Sequence, residues 1–153
     1  MAIIEAPISK FKKSNILIYI VILVIFTVWF GYDGYLNKKF IEEHTEDGKP
    51  NTTLMFNQKS PPFFFAGAIL CTIYFFMIKG KKLVADENEL VIDSKKKIPY
   101  ESIEKINKTW FEKKGFFVVT YKNENGKETD YKISDRKYDG LDNVLNHLVE
   151  KIS

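Results

Sequence analysis

Two uncharged apolar runs constrain this chain more than any other feature. Ile16–Tyr32 reads Ile-Leu-Ile-Tyr-Ile-Val-Ile-Leu-Val-Ile-Phe-Thr-Val-Trp-Phe-Gly-Tyr, with no charge between Lys13 and Asp33. Pro61–Ile78 has none between Lys59 and Lys79. At about 1.5 Å of rise per residue, such runs extend roughly 25–27 Å as helices, close to the ~30 Å hydrocarbon core of a bilayer. Strands usually stop at about 4–8 residues, so a buried strand pair does not account for either run. A helix satisfies its own backbone hydrogen bonds in lipid, which lets β-branched residues stand there. The first run exceeds the apolar core of about 7–15 residues in a signal peptide, and Gly31-Tyr32-Asp33 offers no small-x-small cleavage site. The pattern predicts a membrane hairpin: an arm over 1–14, a first span over 15–36, an extracytoplasmic loop over 37–60, a second span over 61–79 and a cytoplasmic domain over 80–153.

Details of the runs fit this reading. Trp29, Tyr32 and Tyr35 cluster at one end of the first, as an interfacial aromatic belt does. Gly31 and Gly34 are expected to loosen that end. Asp47-Gly48-Lys49-Pro50 is a turn signal within a polar loop. Pro61-Pro62 suits a helix start, where missing N–H groups cost nothing, and Gly67 and Ala68 offer small positions for helix packing. Neither run holds Asp, Glu, Lys, Arg or His, which argues against an ion or proton path through this chain alone. Lys10, Lys12, Lys13, Lys79, Lys81 and Lys82 flank one face. The positive-inside rule then places both termini in the cytoplasm, at what the composition suggests is a bacterial inner membrane.

Composition narrows the chemistry. The single cysteine, Cys71, excludes a disulfide within the chain and leaves a Cys/His metal site short of ligands. A net charge of +3 over 153 residues gives no concentrated basic face for nucleic acid. His44, beside two glutamates, lacks partners at ligand spacing. No nucleophile stands with a base, and no loop is built to cradle phosphate, so the expectation is a non-enzymatic protein without metal or cofactor.

The region after Gly80 changes character. Lys82–Asp86 and Glu89–Asp93 read as strands around an acidic turn, and Phe116–Tyr121 as a strand rich in aromatic and β-branched residues. Asn123–Gly126 is a hairpin loop, and Thr129–Ser134 alternates as a half-buried strand does. Leu141, Val144, Leu145, Leu148, Val149 and Ile152 fall on one stripe of a closing helix. Asp139 is expected to cap it, with His147 off the stripe at the surface. Strands followed by one amphipathic helix make an α+β domain.

Two apolar helices, Leu83–Ile92 as strand-turn-strand, and then Ile98-Pro99-Tyr100-Glu101-Ser102-Ile103 resemble the bacterial pleckstrin-homology-like (PH-like) membrane proteins. The resemblance covers the region from Lys82 to Ser153. It implies a strongly bent β-sheet closed at one end by the C-terminal helix, in a family mostly without enzymatic activity. Classical members bind phosphoinositides through basic residues between their first two strands. Here that turn is Asp86-Glu87-Asn88-Glu89, which is acidic.

Candidate contacts follow from charge and apolar faces. Lys95, Lys96 and Lys97 are the nearest basic substitute for lipid headgroups, or else solvate a turn and discourage edge pairing. Phe116, Val118 and Thr120 face one side of their strand, and Phe117, Val119 and Tyr121 the other. One side fills the core. The second, with Trp110 and Phe111, is either covered by the helix and another sheet layer or is a partner surface. The expected partners are the bilayer and a protein, and the expected role is a membrane-anchored binding or scaffolding module or a small accessory subunit of a membrane transport or secretion complex.

Overall fold

The computed structural model describes residues 3–153, which divide into two compact units. One joins the described residues up to Lys13 with Met77–Ser153, and the other is Ser14–Phe76. The element order is β1 (Ile4–Pro7), α1 (Lys10–Tyr35), α2 (Lys38–Glu43), β2 (Thr45–Glu46), β3 (Lys49–Pro50), α3 (Thr52–Lys59), α4 (Pro61–Ile78), β4 (Lys82–Ala85), β5 (Glu89–Ile92), β6 (Lys96–Pro99), a 3₁₀ turn (Tyr100–Ser102), β7 (Ile103–Asn107), α5 (Phe111–Lys114), β8 (Phe116–Lys122), β9 (Glu128–Ser134) and α6 (Leu141–Ile152).

In the β unit, β1-β4-β5-β6 form one antiparallel sheet and β7-β8-β9 a second. Three strands bury alternate residues: Leu83 and Ala85 on β4, Leu90 and Ile92 on β5, Phe117, Val119 and Tyr121 on β8. Helix α6 packs on β1, β4 and the 3₁₀ turn. It buries Leu141, Val144, Leu145 and Leu148, as the apolar stripe predicts.

Two sequence expectations change here. The stretch read as an arm contains β1, which pairs Ile4 with Ala85 and Pro7 with Lys82 and forms a sheet edge. The fold therefore places one strand before the two long helices and its partner after them. The residue before α6 is Gly140, in the left-handed region at φ 74, with no side-chain cap. Asp139 instead turns to the start of α1. Its Oδ2 accepts the Lys10 N–H at 2.9 Å, while the Ser9 hydroxyl accepts from Lys12 N at 3.1 Å and donates to the Arg136 carbonyl at 2.7 Å. Ser9 N–H also donates to Lys137 O at 2.9 Å, and Asp139 N–H to Pro7 O at 3.0 Å. The segment Pro7–Lys10 is thus stapled to the β9–α6 connection.

In the helical unit, α1 has 26 residues, and α3 with α4 make a second apolar helix of 27 residues from Thr52 to Ile78. Both are long and apolar enough to cross a membrane, and only 6% and 11% of their apolar windows are buried within the chain. The connection read as a loop is largely ordered. Asn37 and Asn51 cap α2 and α3, and Asp47 and Gly48, both at positive φ, close the β2–β3 hairpin. The second helix starts nine residues earlier than Pro61, because Ser60 keeps helical angles and carries the backbone past the prolines. Pro62 has no N–H for the Gln58 carbonyl four residues back. Tyr35 supplies that donor from the first helix, Oη to O at 2.7 Å. Gln58 Nε2 donates in return to the Gly34 carbonyl at 3.1 Å. Gly34 permits this approach, since a Cβ there would lie 2.8 Å from the Asn57 carbonyl carbon and oxygen. Gly34 is a contact point rather than a loosened turn.

Candidate functional site

Two hairpin turns line the principal cleft of the β unit. One is the β5–β6 turn, where Asp93 and Ser94 take left-handed angles of φ 52 and 59, leaving Lys95 on the turn and Lys96 and Lys97 on β6. The other is the β8–β9 turn, where Asn123 Oδ1 accepts from the N–H groups of Asn125 and Lys127, each at 3.0 Å. The cleft has a volume of about 680 Å³ and is lined by Lys95–Lys97, Pro99, Ser102 and Tyr121–Asn125.

Its cations are not equivalent. Lys97 Nζ lies 2.6 Å from Glu89 Oε1, and this hydrogen bond and charge hold the ammonium above its ordinary range. Lys122 Nζ lies 2.5 Å from Glu104 Oε1 and is raised in the same way. Lys96 has aromatic neighbours instead: its Nζ stands 4.9 Å from the Tyr121 ring centroid and 4.7 Å from that of Tyr131. Lys95, on the exposed turn, forms no ion pair among the described residues.

Asp93 anchors the basic turn. Its carboxylate accepts from Lys137 Nζ at 2.8 Å and Tyr138 Oη at 2.7 Å. Burial alone would raise the Asp93 carboxyl, but these hydrogen bonds, with the charges of Lys137 and Lys81, hold it below its ordinary range. Burial, then the Asp93 contact, pushes the fully buried Tyr138 phenol up. The acidic turn lies at the other end of these strands, since Ala85 pairs with Leu90 while Ile92 pairs with Lys96. There the Asp86 carbonyl meets Tyr100 Oη at 2.6 Å and His147 Nε2 at 3.1 Å. His147 is therefore half-buried and engaged rather than simply at the surface. Burial and then the charges of Asp86 and Glu89 push the Tyr100 phenol up to about 12.

The structure separates residues that the sequence grouped. Lys95, Lys96 and Lys97 do share one cleft. Phe117 and Val119 are fully buried and belong to the core, while Tyr121, 7% exposed, also lines the cleft. Trp110 and Phe111 come from the start of α5: Phe111 packs edge-on against Phe117 of this face, whereas Trp110 is 44% exposed with Lys114 Nζ 4.2 Å above its ring. Sequence reasoning did not connect Lys122, Asn123 and Tyr131 with the lysine run. Asn123–Gly126 signalled a turn, but nothing local says which turn it faces.

The arrangement suits capture of an anionic group: two lysines without a carboxylate partner among the described residues, beside the Tyr121 ring. Ser102, a hydroxyl of the cleft lining, donates to Pro99 O at 2.7 Å, and neither histidine lines the cleft. Comparison with known protein families, curated proteins and solved structures finds no match.

Proposed function

We propose that this chain is a non-enzymatic, membrane-anchored binding or scaffolding protein. In this reading its β unit is a PH-like domain, interrupted after its first strand by two membrane-crossing helices and held at the cytoplasmic face. The pairing of β1 with β4 carries the reading. A segment that leaves one β unit and re-enters it returns to the side from which it started. The lysines at both junctions, Lys10–Lys13 and Lys79–Lys82, favour the cytoplasmic side. Two antiparallel sheets with α6 packed on the first support the PH-like description. The Lys95–Asn125 cleft is then the binding site, and its cations favour an anionic group on a headgroup or on a protein partner.

The test is photo-crosslinking of the full chain in native membranes from a reactive residue at Asn125, with Lys49 as the comparison position. One recurrent protein adduct from Asn125 supports scaffolding, and lipid adducts alone support headgroup binding. An adduct pattern at Asn125 no different from that at Lys49 would remove the cleft as the binding site.

A further inference from the structure

One polar network inside the β unit runs from the lysine cleft to the first turn of α1. It starts at Lys96, whose Nζ stands 4.7 Å from the Tyr131 ring centroid. Tyr131 is a polar neighbour of the Tyr138 phenol, and Tyr138 Oη donates to Asp93 Oδ1 at 2.7 Å. Asp93 sits on the β5–β6 turn itself, just before Ser94 and Lys95, and its Oδ2 accepts from Lys137 Nζ at 2.8 Å. The cleft therefore reaches Lys137 and Tyr138 by two routes, one through the tyrosine rings and one through the backbone of the basic turn. Beyond them the network passes to α1. The Lys137 carbonyl accepts the Ser9 N–H at 2.9 Å, and the Arg136 carbonyl accepts the Ser9 hydroxyl at 2.7 Å. That hydroxyl accepts the Lys12 N–H at 3.1 Å, and Asp139 accepts the Lys10 N–H at 2.9 Å. The end of α4 joins at the same turn, since Asp93 N–H donates to Lys82 O at 2.9 Å and Ile8 N–H to Lys81 O at 3.2 Å. Ser9 and Tyr138 are both fully buried. A buried polar group that loses its partner carries the cost of its desolvation, so a displacement at Asp93 is felt at Lys137 and Tyr138 rather than absorbed by solvent.

We propose that the β unit reports an anion in the Lys95–Asn125 cleft as a tightening of the first turn of α1. An anion held by Lys95 and Lys96 fixes the turn that carries Asp93 and the tyrosine rings beside Lys96. Asp93 then holds Lys137 and Tyr138 in place. Their segment, with Arg136 and Asp139, supplies the oxygens that position Ser9 and cap Lys10. The first N–H groups of a helix have no partner within it, so this is the part of α1 whose order the network governs. Linkage makes the effect reciprocal: whatever tightens the first turn of α1 strengthens anion binding by the same factor. This inference rests on the cleft being an anion site, and the experiment separates the two.

Hydrogen exchange of the full chain in detergent, with and without inorganic pyrophosphate or a hexaglutamate peptide, reads both ends at once. Bound anion should slow exchange at Lys95–Lys97 and also at Lys10–Lys13, there by about fivefold or more, the lower end of measured coupling between sites. Ser9→Ala and Tyr138→Phe each remove one hydroxyl outside the cleft lining. Each should keep the slowing at Lys95–Lys97 and lose it at Lys10–Lys13. Lys95→Gln with Lys96→Gln should lose both. Slowing confined to Lys95–Lys97 in the wild type, or slowing at Lys10–Lys13 that survives both hydroxyl variants, would overturn the coupling and leave the cleft standing as an anion site. Slowing at neither end with either probe would overturn both.

Discussion

The Asp139 carboxylate accepts the backbone N–H of Lys10 at 2.9 Å, across 129 positions of sequence. It caps the first turn of α1 from the far end of the β unit, where the unpaired N–H groups of a helix start favour an oxygen and a negative charge. Asp139→Ala should cost about 0.5–2 kcal/mol. The loss should appear in hydrogen exchange as faster exchange at Lys10–Lys13, with α6 unchanged. Asp139→Asn, which keeps an acceptor, should retain most of the protection. Faster exchange confined to α6 would assign Asp139 to the nearer helix after all.

Gly34 and the two prolines form a second coupled feature. A methyl at Gly34 would press on the Asn57 carbonyl at 2.8 Å, whereas one at Gly31 would meet Pro61 at an ordinary 3.9 Å. Gly34→Ala should therefore destabilise the helical unit by about 1–3 kcal/mol, as overpacking does, and Gly31→Ala should be near neutral. Tyr35→Phe removes the donor to the Gln58 carbonyl and should cost about 0.5–1.5 kcal/mol. Denaturation of the full chain in detergent measures all three. Equal effects at Gly31 and Gly34 would contradict the close approach.

What was legible in the sequence depended on periodicity. The strands β4, β5, β8 and β9 and the helix α6 carry their pattern locally. β1 does not: Ile4–Pro7 is four residues ending in proline, and its partner lies so far along the chain that Glu5 and Lys82 meet across 77 positions. β8 is apolar on both faces, so alternation could not decide which side was core. The packing of Phe117, Val119 and Tyr121 decides it. α3 was hidden because Thr-Thr-Leu-Met-Phe-Asn-Gln-Lys has little apolar periodicity, and its start depends on the Asn51 cap. The lysine run was visible, but the Lys96 contact with Tyr121 and Tyr131 and the Glu89 contact with Lys97 arise from tertiary packing.

Asp93 makes stability depend on acid. Its folded pKa lies below the ordinary 3.8, so its contribution is fully present above that value and is lost as pH falls through the lower folded value. Asp93→Asn should be less stable than wild type near neutral pH, and the gap should narrow below about pH 4. Thermal melts of both proteins across this range check it. A gap that stayed constant on acidification would show that the carboxylate charge does not stabilise the basic turn.

Sidedness follows from the β1–β4 pairing. In a Cys71→Ala background, cysteines at Lys49 and Asn125 should label from opposite sides of sealed vesicles, and cysteines at Asn125 and Glu5 from the same side. Labelling of Lys49 and Asn125 from one side would mean that the two helices do not cross the membrane as a hairpin.

The lysine run should act unequally in headgroup capture. A fragment beginning at Gly80 lacks β1, so the test needs the full chain in nanodiscs containing a photoactivatable anionic lipid. Lys97 is committed to Glu89 at 2.6 Å, and Lys97→Gln should change lipid crosslinking little. Lys95 and Lys96 have no carboxylate partner among the described residues, and each substitution by Gln should lower the yield roughly fivefold, the equivalent of about 1 kcal/mol per basic residue near an anionic surface. The acidic turn begins at the opposite strand ends, but its Glu89 reaches back to Lys97, so it opposes anionic lipid at Lys97 more than at Lys95 or Lys96. Raising the salt to about 1 M shortens the Debye length to about 3 Å and should erase the difference between variants. Equal losses for Lys95, Lys96 and Lys97 would mean that the Glu89 pair does not hold in the membrane. No loss for any of them would mean that the run only solvates a turn and that the cleft takes its partner through other groups.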